Sequence, residues 1–491
     1  MNDNDIREKT VSGASWVTAA QGINQVVNLG IRLLLTSYLT PLDFGLVGMV
    51  TVFSGFVSIF SELGVGAAIV QKKEVSNTDL SSAFWVNVIA GTVMMVFLML
   101  AAPSIAAFYN EPRLISITRA ISLTFLIGAI QVVHFAILLR SFDFKSIAII
   151  EMVSFTFSGL FAVTLALLNF GVWSLVAQSL LTVTIRSTMA FSFSKWRPAV
   201  YISWPAIKNL SKFSLNLTGA NVTNYWVRNA DNLLIGKFLG STDLGIYSRA
   251  YSLMILPLSQ ISRIVSRVMF PAFCTLQDDI PRMRRIYLKA LAVIALITFP
   301  ITLGLMVVAD VFVLGLLGDH WADAIPIIRI LCLLGMFQSV GTVAGVIYQA
   351  RDRTDLQFKW TIYSGIVTIS SFLIGLNWGI TGVATSYVTA SLTLLMYPGT
   401  KIVCDLVDLP IGVYVKNLAG IALCAVSMAI VVVILGFYIK PYLGPTTSLI
   451  VLACSGATTY LILIVVFRVK AFDDCRSIIS SRFAKKTTLQ T

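Results

Sequence analysis

The sequence predicts an all-α integral membrane protein. Fourteen transmembrane helices are expected, as two parallel six-helix repeats forming N and C lobes plus two extra C-terminal helices. Three observations carry this. Of 491 residues, 57% are hydrophobic and 12% charged, whereas soluble domains are roughly a quarter charged. Apolar runs of about twenty residues, the length that crosses a bilayer, recur along the chain. The chain also repeats itself at an offset of about two hundred residues.

The repeat is visible in three places. Tyr38-Leu39-Thr40-Pro41-Leu42-Asp43-Phe44-Gly45 returns as Phe238-Leu239-Gly240-Ser241-Thr242-Asp243-Leu244-Gly245. Gly128-Ala129-Ile130-Gln131 returns as Gly335-Met336-Phe337-Gln338, and Asn169-Phe170-Gly171-Val172 as Asn377-Trp378-Gly379-Ile380. Duplicated hydrophobic halves are a mark of transporters.

The spans follow in order. The first, 12–37, is unusually polar, and 43–64 follows the Pro41–Asp43 turn and ends near Gly64 and Gly66. Next come 80–102 and 115–138, the latter carrying His134, read as a hydrogen-bonded interior residue. Spans 147–168 and 171–191 meet at the Asn169–Gly171 turn. The second repeat opens with 212–238, then 244–270 with an internal Pro257 and 286–309 with an internal Pro300; both prolines should bend their helices. Spans 324–348, 359–377 and 380–401 complete it, and 415–437 and 446–467 have no counterpart. Gly45 and Gly245 follow the first turn of each repeat, where a left-handed backbone is expected. The resulting domains are 1–205 (N-lobe, helices 1–6), 206–405 (C-lobe, helices 7–12), 406–470 (helices 13–14) and a cytoplasmic tail, 471–491.

Charge sets the orientation. The net charge is +13, but the cations sit in short connectors, so they read as membrane topology and not as a nucleic-acid surface. With the N-terminus in the cytoplasm, the inner connectors hold nearly all of them, from Arg7 and Lys9 through Arg282, Arg284 and Arg285 to the tail. The opposite side holds only Arg113, Lys237 and Lys440. Both termini are therefore expected in the cytoplasm. The polar first ten residues do not read as a secretory signal, so the first apolar run is expected to remain as a helix. The six cysteines show no metal or disulfide spacing.

Candidate binding residues lie on two matching helices. Gln21, Asn24, Gln25, Asn28 and Arg32 recur at steps of three and four in the first span and so share a face. Asn221, Asn224, Tyr225, Arg228, Asp231 and Asn232 repeat the pattern in the seventh. Asn and Gln also glue helices together. Arginine is different: a central charge costs about 2.5–3.5 kcal/mol, so it normally faces a partner or a wet cavity. Arg32, Arg228 and Arg249 are read as substrate-facing, with an Arg228–Asp231 pair as the structural alternative. Arg186 and Arg329 are weaker candidates. Converging guanidiniums imply an anion, best a phosphate or pyrophosphate; the amides Asn24, Asn28, Asn221 and Asn224 and the Tyr225 hydroxyl suit sugar hydroxyls. Asp231, Glu62 and Glu151 are candidates for coupling to H+ or Na+, or for structural pairing. No catalytic motif and no cofactor is expected, so the chain does not read as an enzyme.

Three segments resemble the polysaccharide-exporter flippases of the colanic-acid-exporter type: Arg7-Glu8-Lys9-Thr10-Val11-Ser12-Gly13-Ala14-Ser15-Trp16, Glu62-Leu63-Gly64-Val65-Gly66-Ala67-Ala68-Ile69-Val70-Gln71-Lys72-Lys73-Glu74 and Phe270-Pro271-Ala272-Phe273-Cys274-Thr275-Leu276-Gln277-Asp278-Asp279. The resemblance implies the multidrug/oligosaccharidyl-lipid/polysaccharide exporter fold. It also implies movement of undecaprenyl-pyrophosphate-linked oligosaccharide repeat units across a bacterial inner membrane, as in exopolysaccharide or O-antigen synthesis. Implied partners are the lipid-linked oligosaccharide, membrane lipid, and a polysaccharide polymerase and glycosyltransferases of the pathway. The alternatives are a multidrug or small-solute exporter of the same fold, and a membrane polymerase or glycosyltransferase. An enzyme of the latter kind usually needs a sizeable external loop or a nucleotide-sugar domain, and neither is visible.

Overall fold

A computed structural model describes residues 22, 25–61, 66, 69–70, 75–201, 225–469 and 472. Among them every regular element is helical. The chain divides into two compact units, Met1–Gly245 and Ile246–Thr491. Nine stretches of the described residues are long and apolar enough to cross a membrane. Only helices satisfy their own backbone hydrogen bonds in lipid without a closed barrel.

The first unit holds α1 (25–38), α2 (Pro41–Ser61), α3 (Asn77–Tyr109), α4 (Leu114–Arg140), α5 (Phe144–Leu167), α6 (Val172–Phe193) and α7 (225–238). Helix α3 packs on α4, α4 on α6, and α5 on α6. A small core of Ile31, Leu35, Leu39, Ala162, Ala166 and Leu175 binds α1 to α5 and α6. Gly159 makes this possible, because a side chain there would stand 2.5 Å from Ile31 Cδ1.

Local sequence chemistry sets the helix starts. Pro41 opens α2, where its missing N–H loses no intrahelical bond. The Thr40 N–H and hydroxyl donate to Asp43 Oδ2 at 3.0 and 2.7 Å, which satisfies an otherwise orphaned donor. Ser76 and Asp79 form a reciprocal capping box at α3, and the Asp143 carboxylate accepts from Ser146 N–H at α5.

Helix α8 (Ser241–Cys274) begins in the first unit and continues into the second. The second unit then contains α9 (Ile280–Val307), α10 (Ala324–Ala350, broken at 342–343), α11 (Thr354–Gly375), α12 (379–406), α13 (Ile411–Ile439) and α14 (Pro445–Val466). A π-helical turn, Ser391–Leu395, interrupts α12. Helix α9 packs on α10 and α13, α11 on α12, and α13 on α14. One core runs through this unit from Tyr287 and Leu291 of α9 to Met428 of α13 and Tyr460 of α14. Large apolar side chains such as Leu423, Ile430, Phe437, Ile450 and Ile462 remain exposed on α13 and α14, as a lipid-facing surface requires. Pro257 and Pro300 lie inside α8 and α9, as the sequence predicts.

The expectation of a left-handed backbone at Gly45 and Gly245 is overturned. Both lie within helices, and among the described residues the positive-φ glycines are Gly171, Gly240, Gly318 and Gly379. Gly171 (φ 54°) and Gly379 (φ 67°) are the matching residues of the third repeated motif, where the chain enters α6 and α12. Gly45 and Gly245 serve close approach instead. A methyl group on Gly45 would overlap the carbonyl oxygen of Ser241, and one on Gly245 would overlap the carbonyl oxygen of Pro41. Ser241 is the repeat counterpart of Pro41, so the contact is reciprocal: the same turn of each repeat meets its copy, backbone on backbone. All four residues belong to the first unit.

Gly45→Ala and Gly245→Ala should each lower stability by about 2 kcal/mol or more, because only backbone movement relieves the overlap. Gly420→Ala, on open space in α13, should leave stability unchanged or raise it slightly. Thermal unfolding in detergent checks the contrast; equal melting temperatures for the three variants would refute it.

Candidate functional site

Helix α7 is fixed to α2 by its first described residue. The Tyr225 hydroxyl is set against the Val52 and Thr51 carbonyl oxygens, at 2.7 and 3.2 Å. Gly55 leaves the room it needs, since a methyl group there would stand 2.5 Å from that hydroxyl. Trp226 packs on Phe56 with ring centroids 5.0 Å apart. At the far end, Lys237 donates to the Phe108 carbonyl and lies 4.9 Å over the Phe108 ring. The Tyr225 hydroxyl, expected on sequence grounds to face a substrate, is thus engaged in holding α7.

The arginines are placed differently. Arg32 on α1 and Arg228 on α7 are exposed, and neither makes an ion pair among the described residues. Asp231 is buried, and its Oδ1 accepts the Asn232 N–H at 2.7 Å. No ion pair joins it to Arg228 three residues earlier. Asn28, one turn before Arg32, is half-buried, as is Arg249 on α8. Asn24, Glu62, Asn221 and Asn224 lie outside the described residues.

The remaining charged candidates have partners. Glu151 on α5 lies 3.8 Å from Arg186 on α6, with side chains 44% and 30% exposed. An ion pair that long and that exposed contributes little stability. Arg186 also lies 5.0 Å over the Phe135 ring. His134 is buried, and its Nδ1 lies 2.8 Å from Ser194 Oγ, in line with the interior role expected. Arg329 lies 3.7 Å from Asp310, which also binds Lys440 at 2.6 Å.

Each unit encloses a pocket lined by the glutamine of the second repeated motif. In the first unit Gln131 of α4 joins Ser54, Ser58 and Thr124 around a cavity of about 290 Å³. Its Oε1 is buried without a hydrogen-bond partner among the described residues, an acceptor left unused. In the second unit Gln338 of α10 lines a cavity of about 480 Å³ with Trp360, Ser364, Thr368, Tyr387 and Thr400. There Gln338 Nε2 donates to Tyr387 Oη at 2.9 Å. Among the described residues neither lining contains Asp, Glu, Lys, Arg or His. Both pockets therefore offer hydroxyls, amides and, in the second, aromatic faces: chemistry for neutral polar ligands or water. Sequence reasoning used these glutamines only as markers of the repeat. An amide at matching positions of two apolar runs was the available signal.

A multi-pass membrane protein, helical throughout its described residues, with exposed guanidiniums and neutral polar pockets, is the class these features define. The chain belongs to the polysaccharide biosynthesis protein family, whose sequence profile matches residues 34–326. It is 30% identical to the lipopolysaccharide biosynthesis protein WzxC of Escherichia coli, over 75% of this chain and 76% of that protein. It is 27% identical to the teichuronic acid biosynthesis protein TuaB of Bacillus subtilis, over 96% of this chain and 98% of that protein. Its fold is shared with the lipid II flippase MurJ in an inward closed conformation, at a TM-score of 0.73 and 15% identity, covering 92% of this chain and 98% of that one.

Tyr225→Phe should cost about 1 kcal/mol of stability, the worth of a typical hydrogen bond. Arg228→Gln, on an exposed side chain without an ion pair among the described residues, should leave the melting temperature unchanged. Intrinsic-fluorescence melting of both variants checks this, and a large loss in Arg228→Gln would make Arg228 structural.

Proposed function

We propose that this protein is a flippase that moves undecaprenyl-pyrophosphate-linked oligosaccharide repeat units across the bacterial inner membrane by alternating access. The observation that carries the reading is the pair of exposed guanidiniums, Arg32 and Arg228, without ion pairs among the described residues, on helices of a chain only 12% charged. A charge kept on an apolar helix implies a wet, anion-seeking surface, and a pyrophosphate matches the planar donor fork of arginine. Arg249 on α8 is a further candidate from the sequence, and the amides Asn24, Asn28, Asn221 and Asn224 are candidate donors and acceptors. The hydroxyls and amides around Gln131 and around Gln338 are chemistry that suits sugars.

Family membership supports the pathway, and the MurJ-like fold supports a lipid-linked substrate. The proposed architecture is fourteen spans, two parallel six-helix repeats plus two further helices, with both termini in the cytoplasm. The sugars arrive from glycosyltransferases and leave to a polysaccharide polymerase. Asp231, the buried carboxylate without an ion pair among the described residues, is the first choice for coupling to H+ or Na+, ahead of Glu62 and of Glu151, which Arg186 already faces.

Arg228→Gln and Arg249→Gln should each reduce export at least tenfold with expression intact, as loss of a charged hydrogen bond of about 1.5–3 kcal/mol implies. Surface polysaccharide and accumulated lipid-linked intermediate report this; near-normal polysaccharide in both variants would count against the phosphate site. Asp231→Asn should abolish dependence on a proton or sodium gradient in proteoliposomes. An unchanged dependence would move coupling to another carboxylate.

A further inference from the structure

The outer face of this protein is poor in cations, so each one present there calls for a reason. Under the proposed topology its connectors hold Arg113, Lys237 and Lys440. Arg113 is neutralised locally by a two-pronged bond to Glu111, with both N–O distances 2.8 Å. Lys237 donates to the Phe108 carbonyl and covers the Phe108 ring. Lys440, at the end of α13, meets Asp310 at 2.6 Å. Arg329, in the second turn of α10, reaches the same carboxylate at 3.7 Å, too long for a hydrogen bond.

One carboxylate therefore serves two cations. Burial opposes the charge of Asp310, yet its hydrogen bond to Lys440 and the two nearby cations hold its carboxyl below the usual range. Two cations thus share one carboxylate, a formal excess of one positive charge. The triad lines a cavity of about 520 Å³ whose other walls include Met306, Val307, Val433 and Phe437. Phe437 is 77% exposed, so the apolar wall continues onto the lipid-facing surface of α13. Arg329 remains 48% exposed, with donors to spare.

We propose that Arg329 and Lys440 form a binding site for a phosphate-bearing lipid headgroup of the outer leaflet, with the attached chain lying along Val433 and Phe437. The chemistry is that of basic pockets between membrane helices, where each cation near the surface adds about 1 kcal/mol toward an anionic lipid. The site's residues belong to the second unit, Arg32 and Arg228 to the first. Its side of the membrane rests on the proposed topology; its chemistry does not. Either a bulk phospholipid or the phosphate of a polyprenyl carrier can supply the group.

The test uses the full-length protein in detergent and native mass spectrometry, with phosphatidylglycerol, undecaprenyl phosphate, diacylglycerol and inorganic phosphate as separate probes. Phosphatidylglycerol or undecaprenyl phosphate should bind wild type about fivefold or more tighter than Arg329→Gln, with Arg329→Lys retaining part of the gain. Whichever of the two binds tighter identifies the source. Diacylglycerol should not distinguish wild type from Arg329→Gln. Equal binding of both anionic lipids to wild type and Arg329→Gln would overturn the proposal. So would inorganic phosphate binding as tightly as either lipid, because the apolar wall would then contribute nothing. Labelling of Tyr442→Cys from outside intact cells tests the topology on its own: external labelling agrees with an outer-leaflet site, and protection overturns that placement. Lipid binding is read without transport, so failure of the flippase reading is distinguishable from failure of this site.

Discussion

The fold turns on one steric constraint: two repeated turns meet with no side chain between them. Gly45 lies against the Ser241 carbonyl and Gly245 against the Pro41 carbonyl. A helix normally holds its neighbours 8–10 Å away through its side chains. Here the start of α2 and the start of α8 approach more closely than any Cβ allows. The neighbouring elements depend on that approach. Leu244 packs beside Gly48 and Gly236, and Gly236 also sits against Tyr109 of α3. Asp43, which caps α2 through Thr40, lies beside Gly171 at the entry to α6.

Charge is handled as economically as contact. A chain with 23 acidic residues among 491 cannot neutralise every cation by proximity, so the distribution of pairs carries information. Glu111 answers Arg113, Glu151 faces Arg186, and Asp355 answers Arg353. Asp310 is divided between Lys440 and Arg329, and Arg32 and Arg228 have no carboxylate among the described residues. The guanidiniums left over are where an anion gains most, because no carboxylate among the described residues competes for them.

The helices were legible because apolar runs of bilayer length have few other solutions, and the two similar turns stood out because they keep Asp43 and Asp243, Gly45 and Gly245. The role of those glycines was not. A glycine after a turn reads equally as a left-handed residue or as a point of close approach, and only the packing of Ser241 and Pro41 against them decides. The arginines stood out against an apolar background, whereas their pairing did not. Asp310 and Lys440 are 130 residues apart, and no local pattern links them. Tyr225 illustrates the same limit: a hydroxyl on a polar stripe reads as a ligand group until α2 is seen to bind it. The pocket glutamines were marked only as repeats, because what surrounds Gln131 and Gln338 comes from other helices.

The claim that joins these observations is that a duplicated frame carries an amphipathic anion from one leaflet to the other. Its most direct measurement is translocation itself. Proteoliposomes containing only this protein and a fluorescent undecaprenyl-pyrophosphate-linked oligosaccharide, placed in one leaflet, should show the sugar reaching the other leaflet at a rate that rises with protein content. A rate no greater than in protein-free liposomes, with the protein shown to be folded, would contradict the account.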